Sequence, residues 1–202
     1  GIDRSLVSPN AIRVTQTLQE AGFQAFIVGG AVRDLLTGVK PKDFDIATNA
    51  TPEQVKRLFR RAFIIGRRFQ IVHVMFGQEL LEVTTFRGAS NGQVQKDAHG
   101  RVLSDNHFGE QHEDAARRDF TVNAMAIELT TPTPEFIDPH NGVTDLLKKT
   151  LRTPSTPELS FSDDPLRMLR AARFAAQLGF TIEADVVSAM KEMADRLSII
   201  SA

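Results

Sequence analysis

Cysteine is absent from the 202-residue chain, which excludes disulfide bonds and thiolate metal sites. Tyrosine and tryptophan are absent too, whereas phenylalanine occurs 14 times. Any side-chain ring stacked on a nucleic-acid base must therefore come from phenylalanine or histidine. The sequence has no N-terminal apolar run of the signal-peptide type and no segment that suggests a membrane span. These absences predict a cytoplasmic protein that does not engage membranes.

An excess of charge of either sign is also lacking, because 24 basic and 25 acidic residues give a net charge of -1. The chain as a whole is not a polycation that seeks nucleic acid, although basic residues crowd positions 56–68. The chain opens abruptly at Gly1 and stops at Ala202 inside an apolar periodic segment. We therefore expect it to be part of a longer protein.

Strand and helix patterns alternate through residues 1–150, whereas the chain after Ser160 has helical periodicity throughout. This order predicts an α+β domain, with a mixed β-sheet and flanking helices, over residues 1–150 and the start of an all-helical domain over residues 151–202. We expect strands at residues 44–48 and 120–129 and a helix over residues 162–179. Thr51-Pro52-Glu53-Gln54 is typical of a capping box and predicts a helix over residues 51–61. Residues 88–109 are polar and lack periodicity, which is typical of a loop excursion.

Gly29 and Gly30 lie between a short apolar strand and a helix that carries Arg33. Glycines at such a turn let a phosphate approach the backbone, and an arginine one turn later can bind phosphate oxygens through two parallel hydrogen bonds. Taken alone, the pair is more simply explained as a tight turn with a surface arginine.

Two carboxylates, Asp43 and Asp45, flank Phe44 in the next predicted strand. Alternate residues of a strand share a face, so the two carboxylates leave the sheet together while Phe44 points into the core. Mg²⁺ binds one or two carboxylates together with substrate phosphates, and this pair can supply the protein's share. Alternatively, Asp45 caps a helix and Asp43 is a surface charge.

A two-metal site usually needs a further acid, and two residues compete for that role. Glu82 lies between the apolar residues Leu81 and Val83 and therefore faces away from them. Asp119 follows Arg118 at a predicted helix-to-strand junction. Arg118 suits triphosphate charge, while Asp119 could hold a metal, a ribose hydroxyl or the neighbouring arginines. Glu82 could also lie on a solvated strand face.

Charged residues recur at three-residue spacing in the helical segment, namely Asp164, Arg167, Arg170 and Arg173. Such residues share one helix face. They are either a surface ladder of ion pairs or the lining of a cleft that reads a base edge, and the spacing favours neither.

The histidines lack the spacing of a helical metal pair. Four of them lie in polar or turn regions, and we expect their side chains to be solvated, namely His99, His107, His112 and His140. His73 alternates with valines in a strand, so it belongs either to the sheet packing or to a cleft.

The motifs GGAVRD, KDFD, EVTTFR, RRDFTVNAMA and DDPLRMLRAARF, in this order, resemble the class II nucleotidyltransferases of the polymerase β superfamily. That family includes bacterial poly(A) polymerases and tRNA CCA-adding enzymes. The resemblance runs from about Gly22 to Gly179. It implies a polymerase-β-like nucleotidyltransferase head that carries the active site, a helical neck that recognises the base, and further helices that grip RNA.

The resemblance also implies roles for individual residues. Asp43 and Asp45 correspond to metal-binding carboxylates, and Glu82 to the acid of the third strand. The residues that correspond to nucleotide contacts are Gly29, Gly30, Arg33, Arg118, Asp119, Asp164, Arg167, Arg170 and Arg173. In the family the acid at the position of Asp119 is sometimes counted as the third catalytic acid. One departure is Asp163, where the family usually has glutamate, and the shorter side chain puts its orienting role in doubt.

Within the family, residues 64–74 (IIGRRFQIVHV) resemble the segment typical of bacterial poly(A) polymerases, because CCA-adding enzymes tend to have small residues there. The expected reaction is template-independent transfer of AMP from ATP to RNA 3′ ends with Mg²⁺ as cofactor. Alternatives are a CCA-adding enzyme and, in another class, a catalytically idle RNA-binding or nucleotide-sensing module. We expect a monomer.

Overall fold

A computed structural model describes residues 2–67, 69–87, 95–96, 102–104, 110–131 and 134–200. The α-helices are α1 (Pro9–Glu20), α2 (Gly30–Leu36), α3 (Pro52–Leu58), α4 (Gln111–Ala116), α5 (Gly142–Leu147), α6 (Pro157–Asp163), α7 (Leu166–Leu178) and α8 (Ala184–Ile200). The strands are β1 (Ala25–Val28), β2 (Asp45–Thr48), β3 (Ala62–Ile65), β4 (Ile71–Phe76), β5 (Glu79–Thr85), β6 (Gln95–Lys96), β7 (Val102–Ser104), β8 (Ala126–Glu128), β9 (Glu135–Ile137), β10 (Thr150–Leu151) and β11 (Thr181–Ile182). Most of the predicted loop at 88–109 lies outside the described residues.

A seven-stranded sheet with the order β3-β4-β5-β2-β1-β8-β9 organises the chain. β2 and β5 pair in parallel, whereas the other neighbours pair antiparallel. The predicted mixed sheet with flanking helices is therefore confirmed. The crossover from β2 to β5 passes through α3 and the β3-β4 hairpin, and it places the start of β2 beside the middle of β5.

Alternation along the strands separates the two faces of this sheet. Ile46, Leu81 and Val83 are almost fully buried in the main core, which α1 covers with Val14 and Leu18. Asp45 and Glu82 emerge on the other face and are half-buried, next to a smaller buried cluster that includes Ala47 and Phe86. The core thus holds one face of the sheet rigid while the other carries polar groups.

The start of α3 follows its sequence pattern closely. The hydroxyl of Thr51 accepts a hydrogen bond from the backbone N–H of Gln54 at 3.3 Å, and the Gln54 side chain accepts one from the N–H of Thr51 at 2.9 Å. Pro52 occupies the first turn, where its missing N–H costs nothing. The predicted capping box is therefore present.

Three element boundaries predicted from periodicity are wrong. The strand predicted at 44–48 begins only at Asp45, and the strand predicted at 120–129 is a 3₁₀ turn (Thr121–Asn123) followed by the short β8. The helix predicted over 162–179 is divided between α6 and α7 at Asp164. Pro165 has no N–H and disfavours a helical conformation in the residue before it, and Asp164 has φ -148° and ψ 97°.

The helical segment packs directly on the sheet domain. The rings of Phe120 and Phe174 meet edge to face with centroids 5.8 Å apart, and Ala171 of α7 belongs to the main core. β11, which periodicity did not indicate, pairs in parallel with β10. Among the helices of the described chain, none has the length and hydrophobicity needed to cross a bilayer.

Candidate active site

Strand register places a row of side chains across the open face of the sheet. Asp45 pairs with Val28 on one side and with Glu82 on the other, and Glu82 pairs in turn with His73. The carboxyl groups of Asp45 and Glu82 share a hydrogen bond, and His73 Nε2 lies 3.3 Å from Glu82 Oε1. Glu82 therefore connects Asp45 to His73.

Burial raises the pKa of Asp45 to about 6, and the negative charges of Glu82 and Asp43 add to this effect, while Arg118 opposes it. A raised pKa means that the ionised carboxylate lacks compensating positive charge. Carboxylate oxygens are ligands that hard divalent cations prefer, so a cation between these acids relieves the imbalance. Within the described residues, no group of three or more His, Cys, Asp or Glu side chains is placed to hold a metal ion by itself.

Asp43 differs from the prediction in its location. It precedes β2 in an exposed segment, so it does not share a regular strand with Asp45. Phe44 between them is buried as predicted, and Asp43 is close enough to Asp45 to raise the pKa of that carboxyl. The metal-binding role of Asp43 stays a prediction.

The Gly29-Gly30 turn leads from β1 into α2 beside Asp45. Gly29 has φ 76° and ψ -146°, a conformation that is essentially restricted to glycine. A Cβ built on Gly29 would lie 3.6 Å from Asp45 Oδ2. The turn therefore needs glycine for its backbone conformation and keeps the space beside the Asp45 carboxylate open.

Replacing Gly29 with alanine tests this turn. We expect Gly29→Ala to lower the free energy of unfolding by about 1–3 kcal/mol, because of the backbone conformation. We also expect weaker nucleotide binding, because the methyl group occupies the space beside Asp45. Chemical denaturation and nucleotide titration measure the two effects, and Gly38→Ala is the control, since Gly38 also has positive φ (75°) but lies in open space. Equal losses of nucleotide affinity in both variants would contradict the assignment.

A cavity of about 360 Å³ opens above this turn. Of the sequence-predicted residues, its walls contain Gly29, Gly30, Asp45, Arg118, Asp119, Asp164, Arg167 and Arg170. They do not contain Asp43, Glu82, Arg33 or Arg173. The structure thus brings residues far apart in sequence, from β1 to α7, around one cavity.

Arg118 lies in this cavity facing several acids. Its guanidinium donates to Asp114 Oδ2 at 2.9 Å. Burial acts to lower the pKa of Arg118, but the charges of Asp114, Asp45 and Asp119 outweigh it and raise that pKa. Arg118 is therefore a permanent positive charge in the wall of the cavity.

The two candidates for the third acid occupy different positions. Asp119 Oδ1 accepts hydrogen bonds from the N–H of Phe120 at 2.7 Å and from the amide of Asn123 at 3.2 Å. Glu82 does not line the cavity but contacts Asp45 directly. The geometry favours Glu82 as the direct partner of Asp45 and Asp119 as a cavity-wall carboxylate.

Arg33 contacts the protein instead of pointing into the cavity. It donates to Asn123 Oδ1 at 3.0 Å and to Asp34 at 3.2 Å, and its guanidinium lies 5.1 Å from the ring centroid of Phe174. Because Asn123 also binds Asp119, Arg33 supports the cavity wall through Asn123.

The charged residues of the helical segment divide into two groups. Arg167 is buried and donates to the carbonyl and the hydroxyl of Ser160 at 3.3 and 3.1 Å and to the carbonyl of Arg117. Arg170 forms an ion pair with Asp164 at the cavity. Arg173 is exposed and does not line the cavity. The cleft interpretation therefore fits Asp164, Arg167 and Arg170, whereas Arg173 fits the surface ladder.

Sequence reasoning missed several residues of the site. Asn123 lies four positions after Asp119, and Asp114 lies four positions before Arg118. This spacing could have indicated that each pair is in contact. No sequence pattern indicated that the guanidinium of Arg87 would lie 3.7 Å from the ring centroid of Phe69 in the cavity wall. His112 is exposed as predicted, whereas His99 and His107 lie outside the described residues.

A glycine turn, the Asp45 carboxylate and several arginines thus face one cavity. Residues 25–152 match the family described as "Poly A polymerase head domain". The chain belongs to this family of polymerase-β-like nucleotidyltransferases.

Curated relatives and solved structures agree with this family. The chain is 46% identical to "Poly(A) polymerase I" of Escherichia coli O157:H7, over 98% of this chain and 43% of that protein. It is 42% identical to a "CCA-adding enzyme" of Lactobacillus helveticus (strain DPC 4571), over 95% of this chain and 46% of that protein. The crystal structure of the Bacillus stearothermophilus CCA-adding enzyme in complex with CTP superposes with a TM-score of 0.74 at 35% identity, covering 91% of this chain and 43% of that one. The chain thus spans less than half the length of these relatives.

Proposed function

We propose that the protein adds AMP from ATP to RNA 3′ ends without a template, as a poly(A) polymerase. The observation that carries this proposal is the position of Asp45 on the open sheet face, between the Gly29-Gly30 turn and Arg118 in one cavity. In the reaction, the 3′ hydroxyl oxygen bonds to the α-phosphorus, the bond from that phosphorus to the bridging oxygen breaks, and pyrophosphate leaves.

Residues in and beside the cavity have separate roles in this proposal. Asp43 and Asp45 would hold Mg²⁺, which would supply positive charge to the triphosphate and acidity to the attacking hydroxyl. Arg118 binds phosphate oxygens, and Gly29 lets them approach the backbone. Glu82, the strand partner of Asp45 on β5, adds a second negative charge beside that carboxylate.

The base is read, in this proposal, where α6 meets α7. Asp164 accepts a hydrogen bond from the N–H of Leu166 at 3.1 Å and pairs with Arg170, so both side chains are held at the cavity. Arg167 is anchored to Ser160 and to the backbone of Arg117, which ties the base-reading end of the cavity to the Arg117-Arg118 turn.

The segment that favours poly(A) addition lies in the cavity wall. Phe69, Gln70 and Ile71, from the predicted discriminating segment, line the cavity. Gly66 makes the turn before them with φ 97°, and a Cβ there would lie 2.3 Å from the carbonyl oxygen of Phe69. This segment can therefore influence which nucleotide or primer is accepted.

Nucleotide choice tests the proposal. The full-length protein is incubated with Mg²⁺ and each NTP separately, on an RNA unrelated to tRNA and on a tRNA that lacks its CCA end. We expect ATP alone to extend both RNAs by many residues and CTP alone to extend neither. If the protein still binds ATP but does not extend RNA with it, the proposal is overturned and the nucleotide-sensing alternative is favoured.

CCA addition is the second candidate, supported by the CCA-adding relative and by the superposition on the CTP complex. It predicts that CTP alone adds cytidines to the shortened tRNA and that unrelated RNA is not extended. The same assay therefore separates the two activities.

A further inference from the structure

A second cavity, of about 460 Å³, lies between α1, the residues that follow α3 and the end of β4. Val74 and Phe76 in its wall belong to the sheet face opposite to His73, because alternate residues of a strand point in opposite directions. The cavity therefore lies behind the sheet relative to the Asp45 row.

Three arginines line this second cavity, and no lining residue is acidic. The guanidinium of Arg13 lies 5.6 Å from the ring centroid of Phe76. Within the described part of the chain, the side chains of Arg13, Arg60 and Arg61 make neither a hydrogen bond nor an ion pair, and all three residues are exposed. Glu79, which pairs with Phe76 from β5, is outside the lining and accepts hydrogen bonds from Ser8 and Asn10. Three arginines without an acid in the lining favour an anionic ligand.

The aromatic residues of this cavity argue against recognition of a base. Arg13 covers the ring of Phe76, and Phe59 meets the same ring edge to face, with centroids 6.5 Å apart at 82°. The Phe76 ring is thus engaged by neighbouring side chains. Because no acid lines the described cavity to hold the metal of a nucleoside triphosphate, the ligand that fits is a series of phosphates recognised by charge.

We propose that this cavity binds the phosphodiester backbone of the RNA several nucleotides upstream of the 3′ end. The inference rests on the proposed function, which supplies the RNA. Binding there is independent of base sequence, because guanidinium groups contact phosphate oxygens and carry no information about the bases.

The sheet order sets the separation between Asp45 and the second cavity. Asp45 on β2 is three strand spacings, about 14 Å, from the edge strand β3, and Phe76 is three residues, about 10 Å, along β4 from His73. An RNA whose 3′ end lies at Asp45 must therefore cover about 24 Å along the sheet and also pass around its edge to reach the arginines. A primer of about four nucleotides is therefore too short, whereas one of about 20 reaches the second cavity.

A triple variant of the full-length protein tests the proposal, namely Arg13→Gln, Arg60→Gln and Arg61→Gln. Its matched control removes the same charge from exposed residues elsewhere, namely Arg4→Gln, Lys148→Gln and Lys191→Gln. RNA affinity is measured for primers of about 4 and about 20 nucleotides at several salt concentrations. We expect the long primer to bind about tenfold more weakly to the cavity variant, with a salt slope shallower by about 2, since each single-strand phosphate contact contributes about 0.7.

Every outcome of this experiment bears on the second cavity and not on catalysis. Two results together support the proposal. The short primer binds the cavity variant as tightly as it binds the wild type, and Arg→Lys substitutions restore the affinity for the long primer. The proposal is overturned if the control variant loses as much RNA affinity as the cavity variant, or if the salt slope is unchanged. It is also overturned if polyglutamate competes for the cavity as strongly as RNA does. Long-primer binding is read without turnover, so failure of the proposed polymerase activity leaves this result interpretable.

Discussion

Asp45→Asn is expected to lower nucleotide transfer about a thousandfold or more while leaving the fold intact. The asparagine retains the shape of the side chain and can donate a hydrogen bond to Glu82, but it removes the charge that attracts a divalent cation. Loss of several kcal/mol of transition-state charge stabilisation corresponds to this change in rate. Single-turnover incorporation by the full-length protein measures it, and Glu20→Gln, which changes an exposed carboxylate on α1, is the control. Activity near the wild-type rate would remove Asp45 from the catalytic site.

The same variant is expected to stabilise the metal-free protein at neutral pH. The pKa of Asp45 rises from 3.8 to about 6 on folding, so the folded state binds the proton more tightly than the unfolded state does. The contribution of Asp45 to stability is therefore complete below about pH 4 and is lost as the pH rises through 6. At pH 7 the cost of the ionised carboxylate is about 2–3 kcal/mol, and asparagine avoids it.

Chemical denaturation at pH 4.5 and pH 7 with a chelator present measures this effect. We expect Asp45→Asn to be more stable than wild type at pH 7 and the difference to shrink at pH 4.5. Adding Mg²⁺ should stabilise only the wild type, because metal binding stabilises the folded state that holds it. A variant less stable than wild type at pH 7 would show that Asp45 is satisfied without a cation.

Arg118→Gln is expected to reduce transfer about 10²–10³-fold and to destabilise the fold by about 2–3 kcal/mol. The loss of rate follows from removing a fixed positive charge beside the triphosphate. The loss of stability follows because Asp114, which is buried, loses its ion-pair partner. Removing Arg118 also raises the pKa of Asp45 further, since Arg118 is the charge that lowers it.

The double variant Asp114→Asn with Arg118→Gln separates these two effects. The asparagine amide oxygen can still accept the hydrogen bond that Asp114 Oδ1 receives from the N–H of Arg87 at 3.0 Å, and the substitution leaves no buried charge. We expect thermal stability to recover while transfer stays low. Recovery of transfer together with stability would mean that Arg118 acts only as a structural partner of Asp114.

The accuracy of the sequence interpretation varies with the range of the interactions involved. The capping box at Thr51 and the outward orientation of Glu82 were predicted correctly, because both depend on residues a few positions apart. The break at Asp164 was missed even though Pro165 was visible, since the apolar periodicity on both sides resembles one helix. The strand predicted at 120–129 is shorter because Asp119, Asn123 and the helical segment pack around that turn.

The sequence by itself determined the family, the glycine turn, the carboxylates and the basic residues, because these depend on residue type and local spacing. Only the tertiary structure decided that Glu82 contacts Asp45 through parallel pairing of β2 and β5, and that Arg33 binds Asn123 instead of facing the cavity. It alone also showed that Arg13 lies beside Arg60 and Arg61 behind the sheet. The reason is physical: strand pairing and helix packing join residues tens of positions apart, and burial of the shared core, not local spacing, selects which of them meet.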